Sequence, residues 1–377
     1  MQITSSNDFD RRRFLSAGVG AGAVAAAARW IQPHAAADDR PCPRIKIGQI
    51  GTLHNHGSAK MATFRKLADH YEVVGVVEPD PALRKKNENH SAYRGLKWMT
   101  EEELFNAPGL QAVAVETGVP DLVPTGIRCI QAGMHIHMDK PGGETIEPFQ
   151  KLVDEAGRRN LTVQLGYMYR NNPAVQFCQR AVREGWLGQV FEIHAVMSRT
   201  QSLAYRKWLG GFRGANIYIF GCHMIDLVVS MLGRPDRVTS YQRQVQPDVE
   251  VYDNGLTILE YPRTTVTIRT TSLEVEGYRR RQLVVCGDQG TIDIRPIETL
   301  DVRPQPPLKL QLALDGPRDE YKKGCQEVTF APMPGRYDEQ LIELARIIRG
   351  EITNPYPLSH ELMVQEVLLA AINNLAK

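Results

Sequence analysis

Asp139-Lys140-Pro141 closes the short apolar run Met134–Met138 and sets a carboxylate and an amine at the point where a strand must stop. Proline has no N–H to give to a sheet ladder, so Pro141 turns the chain out there. In an open parallel sheet, ligands gather at the carboxyl ends of the strands. Lys140 would then face a cleft as an amine able to handle protons; a lysine on an ordinary strand-end turn is the alternative. A second constellation points to a nucleotide. Gly51 follows the apolar run Ile45–Ile50 and opens Gly51-Thr52-Leu53-His54-Asn55-His56, with Gly57 one place late for Gly-x-Gly-x-x-Gly. Leu53 and His56 occupy the places where glycine would admit a pyrophosphate to the backbone and let a helix pack closely. The helix start can still serve as the anion site, with the Thr52 and His54 side chains replacing some lost backbone contacts. Surface-loop histidines are the alternative for His54 and His56, and as a metal site His-x-His lacks further ligands of recognisable spacing. Glu78 ends the next apolar run. A carboxylate there accepts the ribose hydroxyls of NAD and repels the 2′-phosphate of NADP, so NAD is the expected cofactor and NADP the less favoured one. An ordinary acid opening a turn is the other reading of Glu78.

The elements that must position these groups alternate. Apolar runs at Ile45–Ile50, Val73–Val77, Ala112–Glu116, Met134–Met138 and Thr162–Leu165 are separated by helical stretches at Gly57–Tyr71, Pro81–Asn87, Asp121–Ala132 and Glu144–Asn160. Strands separated by helices of this length imply a doubly wound parallel sheet, a Rossmann domain over residues 44–166. Beyond residue 188, runs such as Val190–Val196, Leu256–Tyr261, Thr264–Thr271, Gln282–Val285 and Thr291–Ile294 read as a mostly antiparallel open sheet. With helical segments at Asp338–Arg349 and His360–Ala376, residues 167–377 form an α+β domain.

Residues 1–37 are expected to lie outside the fold. Asp10-Arg11-Arg12-Arg13-Phe14-Leu15-Ser16 fits the twin-arginine pattern, followed by a mildly apolar stretch from Ala17 to Ala28 and an Ala35-Ala36-Ala37 cleavage site. That stretch falls short of the roughly 20 apolar residues a bilayer span requires, so a soluble protein exported through the twin-arginine machinery to the periplasm is expected. Removing 37 of 377 residues leaves roughly 340, enough for two domains. With 45 Lys+Arg against 43 Asp+Glu, charge points to neither nucleic acid nor an anionic surface. The cysteines, Cys42, Cys129, Cys178, Cys222, Cys286 and Cys325, lack metal-ligand or close-pair spacing and name no disulfide.

From about residue 44 onward the chain resembles the Gfo/Idh/MocA family of oxidoreductases. The resemblance rests on Ala132-Gly133-Met134-His135-Ile136 followed by Asp139-Lys140-Pro141, and on Ile45-Lys46-Ile47-Gly48-Gln49-Ile50-Gly51. It continues in Tyr169-Arg170 with Pro173, in Gly185-Trp186-Leu187-Gly188, and in Gly221-Cys222-His223 with Asp226. The resemblance implies that Lys140 and His223 take the hydroxyl proton during hydride transfer. Asp226, three residues on in a helix, would orient the imidazole; a packed core histidine is the alternative. Glu116-Thr117 matches the place where relatives carry Thr-Pro beside the nicotinamide ribose, and Asp139 belongs to the cofactor side of the cleft. Arg170 would lie where cofactor and substrate meet. Tyr167 and Tyr169 would stack on or hydrogen-bond a sugar, or else pack between the domains. Relatives commonly place an acid four residues before the histidine, where this chain has Ile219. The second domain's sheet would support dimers or tetramers.

The leading expectation is an exported NAD-dependent oxidoreductase of a sugar, polyol or related carbohydrate, with its cofactor tightly bound. A redox-neutral glycoside-cleaving enzyme that oxidises, eliminates and reduces in turn needs the same lysine and cleft. A sugar-binding module without chemistry is the third reading, motivated by Leu53, His56 and Ile219.

Overall fold

The computed structural model describes residues 43–298 and 306–374. The twin-arginine stretch and Cys42 lie outside the described residues. The first sheet contains β1 (Ile45–Ile50), β2 (Tyr71–Val77), β3 (Trp98–Met99), β4 (Ala112–Val115), β5 (His135–Met138) and β6 (Val163–Leu165). All pairs are parallel, in the order β3-β2-β1-β4-β5-β6. β4 is buried at every position and β1 at all but Lys46, as expected of strands covered on both faces. The covering helices are α1 (Gly57–Lys66), α2 (Pro81–Asn87), α3 (Glu101–Phe105), α4 (Leu122–Gln131) and α5 (Ile146–Arg158). On α5 the buried residues Phe149, Leu152, Val153 and Ala156 recur at helical spacing and form the stripe that meets the sheet. Strand order reverses between β1 and β4, the switch point outside which doubly wound sheets bind ligands.

After α6 (Pro173–Arg183), the second sheet takes β7 (Val190–Ser198), then β8 (Arg237–Arg243), β9 (Asn254–Tyr261), β10 (Thr264–Thr271), β11 (Gln282–Gly287), β12 (Gly290–Ile294), β13 (Leu308–Leu314) and β14 (Gly324–Phe330). Its order is β14-β13-β12-β11-β7-β10-β9-β8, antiparallel throughout except for the β7–β10 pair. Along β13, Leu308, Leu310, Leu312 and Leu314 are buried while Lys309 and Gln311 are exposed, so one face meets the core and the other water. Two helices, α7 (Leu203–Leu209) and α8 (Cys222–Leu232), lie between β7 and β8, and α9 (Asp338–Ile348) and α10 (Leu358–Asn373) follow the sheet. α10 packs against α8 and α5 and so ties the two sheet layers together.

The sequence reading extends α1 to Tyr71, but Tyr71 instead opens β2. Its ring packs edge-on against Phe64 at 5.0 Å and its hydroxyl donates to the Leu341 carbonyl of α9, which holds it in the core away from the helix. Among the described residues no helix is long and apolar enough to cross a membrane.

Candidate active site

The turn after β1 is shaped by contact rather than by flexibility. Gly51 has φ +87°, and a Cβ there would stand 2.6 Å from the Thr117 backbone at the end of β4. Only glycine combines that conformation with that approach. α1 then begins at Gly57 without a side-chain cap and with no acidic residue in its first turn, which leaves helix N–H groups for an anion. The turn therefore fits a dinucleotide despite Leu53 and His56, but Thr52, one expected substitute for the missing glycines, does not reach outward. Thr52 gives its N–H (2.8 Å) and its hydroxyl (2.6 Å) to Glu78 Oε2, while Asp80 N–H donates to Oε1 at 3.1 Å. Glu78 thus holds the turn in place, and of the about four lone-pair positions on a carboxylate it keeps acceptor capacity on Oε1 for a ribose.

Beneath the turn lies a buried polar cluster that was not foreseen. Lys60, on the inward face of α1 and inaccessible to water, sits 2.7 Å from Asp139 Oδ2 and 3.0 Å from Glu116 Oε1. The Nδ1 atoms of His54 and His56 each lie 3.0 Å from the same Asp139 oxygen, and the Lys140 N–H donates to Oδ1 at 2.8 Å. His54 sets its Nδ1 on Asp139 and still lines the cavity. One sequence expectation is corrected here: Glu116 is fully buried against Lys60 instead of facing a ribose. Asp139 likewise is fully buried, one layer behind the cavity. It supplies the third ligand that His54 and His56 lack in sequence, since the three could converge on one ion. Lys60, however, is the cation this cluster already holds.

Burial disfavours every charge in this cluster, and the outcome differs by residue. For Lys60 the nearby Asp139 and Glu116 carboxylates outweigh burial and raise its pKa, so it stays an ammonium. For Asp139 burial is overcome by His54 and Lys60, and its carboxyl is held well below the usual range. Glu116 yields: burial pushes it up to about 8 against the pull of Lys60. A carboxyl whose folded pKa is raised adds stability that is complete below its unfolded value and is lost as pH rises through the folded one. From pH 6 to about pH 7 the parent should therefore lose stability relative to Glu116→Gln by about 1.4 kcal/mol per pH unit, with the slope roughly halved by pH 8. Melting temperatures of the two proteins across this range check it; curves that stay parallel would mean Glu116 is already ionised at pH 6.

Above the cluster, Lys140 and His223 line one cavity of about 240 Å³. Lys140 comes from the end of β5, and its ammonium donates to the Ile219 carbonyl at 2.9 Å. His223, in the first turn of α8, follows a π-helical turn over Ile217–Gly221 that delivers this carbonyl. Burial first, and the Lys140 charge second, hold the imidazole well below its ordinary pKa and so neutral. Its Nδ1 has no hydrogen-bond partner among the described residues.

Asp226 does not orient His223. Its carboxylate takes Arg170 Nη2 at 2.6 Å and Nε at 3.0 Å, with His360 Nε2 at 3.1 Å. Arg170 itself is 1% exposed, pairs also with Glu361 at 2.7 and 2.8 Å, and lies over the rings of Tyr356 and Tyr167. The guanidinium expected at the cofactor is thus the centre of a buried ion network joining the 3₁₀ turn after β6 to α8 and α10. Tyr167 and Tyr169 are buried too. They pack edge-on behind His223, and the Tyr169 hydroxyl bonds Glu298, so neither meets the cavity. The aromatic wall comes instead from Tyr205 and Trp208 on α7, one face apart by three residues, with Phe220 stacked on Tyr205. That i, i+3 aromatic pair is the signal by which the sequence could have disclosed it.

Residues 45–167 match the oxidoreductase family's NAD-binding Rossmann fold, and residues 175–293 match the GFO/IDH/MocA C-terminal domain. The uncharacterized oxidoreductase YdgJ of Escherichia coli is 24% identical over 284 residues, 72% of this chain and 81% of that protein. The scyllo-inositol 2-dehydrogenase (NADP(+)) IolW of Bacillus subtilis is 25% identical over 168 residues, 42% of this chain and 45% of IolW. Among solved structures, a levoglucosan dehydrogenase in complex with NADH and levoglucosan superposes with a TM-score of 0.71 at 16% identity, covering 88% of this chain and 97% of that one. With its NAD-binding Rossmann sheet, its second mostly antiparallel sheet and both halves matched, the chain belongs to the Gfo/Idh/MocA family of oxidoreductases.

Proposed function

We propose that the protein oxidises a sugar, polyol or related carbohydrate at a carbinol carbon, with NAD as cofactor and Lys140 and His223 handling the hydroxyl proton. The observation that carries this reading is the convergence of Lys140, a neutral His223 and the Tyr205–Trp208–Phe220 wall on one cavity. A polyhydroxylated ring, apolar on its C–H faces and polar at its rim, suits an aromatic wall with a few polar groups opposite. At about 240 Å³ the cavity lies near the small end of ligand sites, about 300–1,000 Å³, and suits one ring rather than a chain of them. When bound, the nicotinamide supplies the hydride acceptor. The Lys140 ammonium, held by the Ile219 carbonyl, is placed to steady a hydroxyl oxygen, and His223 is in the protonation state that can accept a proton. Ile219 puts an apolar side chain where relatives commonly carry an acid, so among the described residues this pair has no carboxyl of its own in the cavity. The named relatives support the substrate class, because levoglucosan and scyllo-inositol are both polyhydroxylated rings.

Export through the twin-arginine pathway accompanies this function, since that route carries folded protein and allows the cofactor to be loaded first. Little free nucleotide is expected outside the cytoplasm, which calls for a dissociation constant of nanomolar order, about −12 kcal/mol. Native mass spectrometry of protein from the periplasmic fraction should show a chain cleaved near Ala37 with one NAD bound, because Glu78 disfavours a 2′-phosphate. An uncleaved chain would contradict the export reading, and an NADP mass would contradict the role given to Glu78.

A further inference from the structure

The lining of the cavity carries an imbalance of charge. Arg199, Arg281 and Arg336 line it together with Lys140, and among the described residues no carboxylate does. Behind the lining, Glu298 serves both Arg281 and Arg336, and it also accepts from the Tyr169 hydroxyl. Arg199 has no carboxylate within ion-pairing distance among the described residues. Its guanidinium lies over the Tyr278 ring at 4.5 Å and bonds that residue's hydroxyl, while Arg281 lies over the same ring at 4.1 Å. Arg336 keeps a buried Nε donor with no partner among the described residues. Cations gathered in a partly desolvated site repel one another, and an unpaired buried donor costs free energy. Both costs fall when an oxyanion enters, and guanidinium forks suit a planar carboxylate.

We propose that the substrate is an acidic carbohydrate of the uronic acid class, with its carboxylate bound by Arg199 and Arg336 and its ring against the aromatic wall. Arg281, spent on Glu298, fixes Tyr278 and so sets the position of Arg199. The proposal rests on the carbohydrate reading above but concerns binding, so it can fail or succeed separately. Hydroxyls alone would leave the Arg199 charge uncompensated, whereas a carboxylate neutralises it, which makes the acid the better ligand.

The test uses the enzyme loaded with NADH, which binds sugar without turnover. Calorimetric titration compares glucuronate, galacturonate and mannuronate, each with its parent hexose and that hexose's 6-phosphate. At least one uronate should bind about tenfold or more tightly than its parent hexose, the size expected of a charge-assisted bond. Arg199→Gln should abolish that ratio, Arg199→Lys should keep part of it, and NADH affinity by fluorescence titration should change less than about twofold in either variant. Equal binding of acid and parent hexose, or no binding of any uronate, would overturn the proposal. Tighter binding of the 6-phosphates would overturn the carboxylate assignment, and loss of NADH affinity in Arg199→Gln would assign the cluster to the cofactor's pyrophosphate. If uronates bind selectively yet no sugar reduces bound NAD, the oxidoreductase reading fails while this inference stands.

Discussion

Replacing Lys140 by alanine should lower kcat by about 10²–10⁴-fold, the range for loss of a positioned proton-transfer group. The fold should survive, because the ammonium makes one hydrogen bond, to the Ile219 carbonyl, and the Asp139–Lys60 ion pair beneath it uses only the backbone N–H of Lys140. Nucleotide affinity should stay near that of the parent, since the turn at Gly51 and the start of α1 are untouched. His223→Ala should be nearly as damaging, with Ile219 offering no neighbouring acid to share the task. Steady-state kinetics separate these outcomes: a fall in kcat with KM nearly constant marks an interaction made mainly in the transition state. A rise in KM alone would reduce Lys140 to a binding group.

Arg170→Ala should act on stability instead. Its removal leaves Asp226 and Glu361 buried without their common cation, and breaking a buried ion network in this way costs about 3–5 kcal/mol. Melting should fall by about 4–7 °C, and the loss should not depend on added NAD or sugar. If the variant melts like the parent but loses sugar or NAD affinity, Arg170 is a ligand-binding residue after all, as the sequence suggests.

The parts of this protein that were legible in its sequence are those governed by local chemistry. The apolar runs alternating with helical stretches specify the parallel sheet, because strands buried on both faces leave an apolar signature that needs no tertiary knowledge. Gly51 and Asp139-Lys140-Pro141 announce their places through backbone conformation and strand termination. Partnership was less legible. Asp226 shares a helical face with His223, but Arg170 from one element and His360 from another claim its carboxylate, and spacing along a helix cannot weigh such competitors. Tyr167 and Tyr169 have the chemistry of a sugar platform, yet their position behind His223 depends on how α8 crosses them. Lys60 did leave a trace. Gly57, Lys60, Met61 and Phe64 form the buried stripe of α1 at helical spacing, and a lysine on such a stripe must find a buried anion. That anion is Asp139, beside the residue singled out first.

The central claim is that the cavity holding Lys140 and His223 carries out hydride transfer with a carbohydrate. Single-turnover reduction of the bound NAD, followed after mixing with a panel of neutral and acidic sugars, tests it most directly. The parent should reduce its cofactor with at least one sugar, and Lys140→Ala, equally folded and equally loaded, should do so about 10²–10⁴-fold more slowly. Equal rates in the two proteins would contradict the assignment of Lys140, and a loaded parent that no sugar reduces would contradict the function itself.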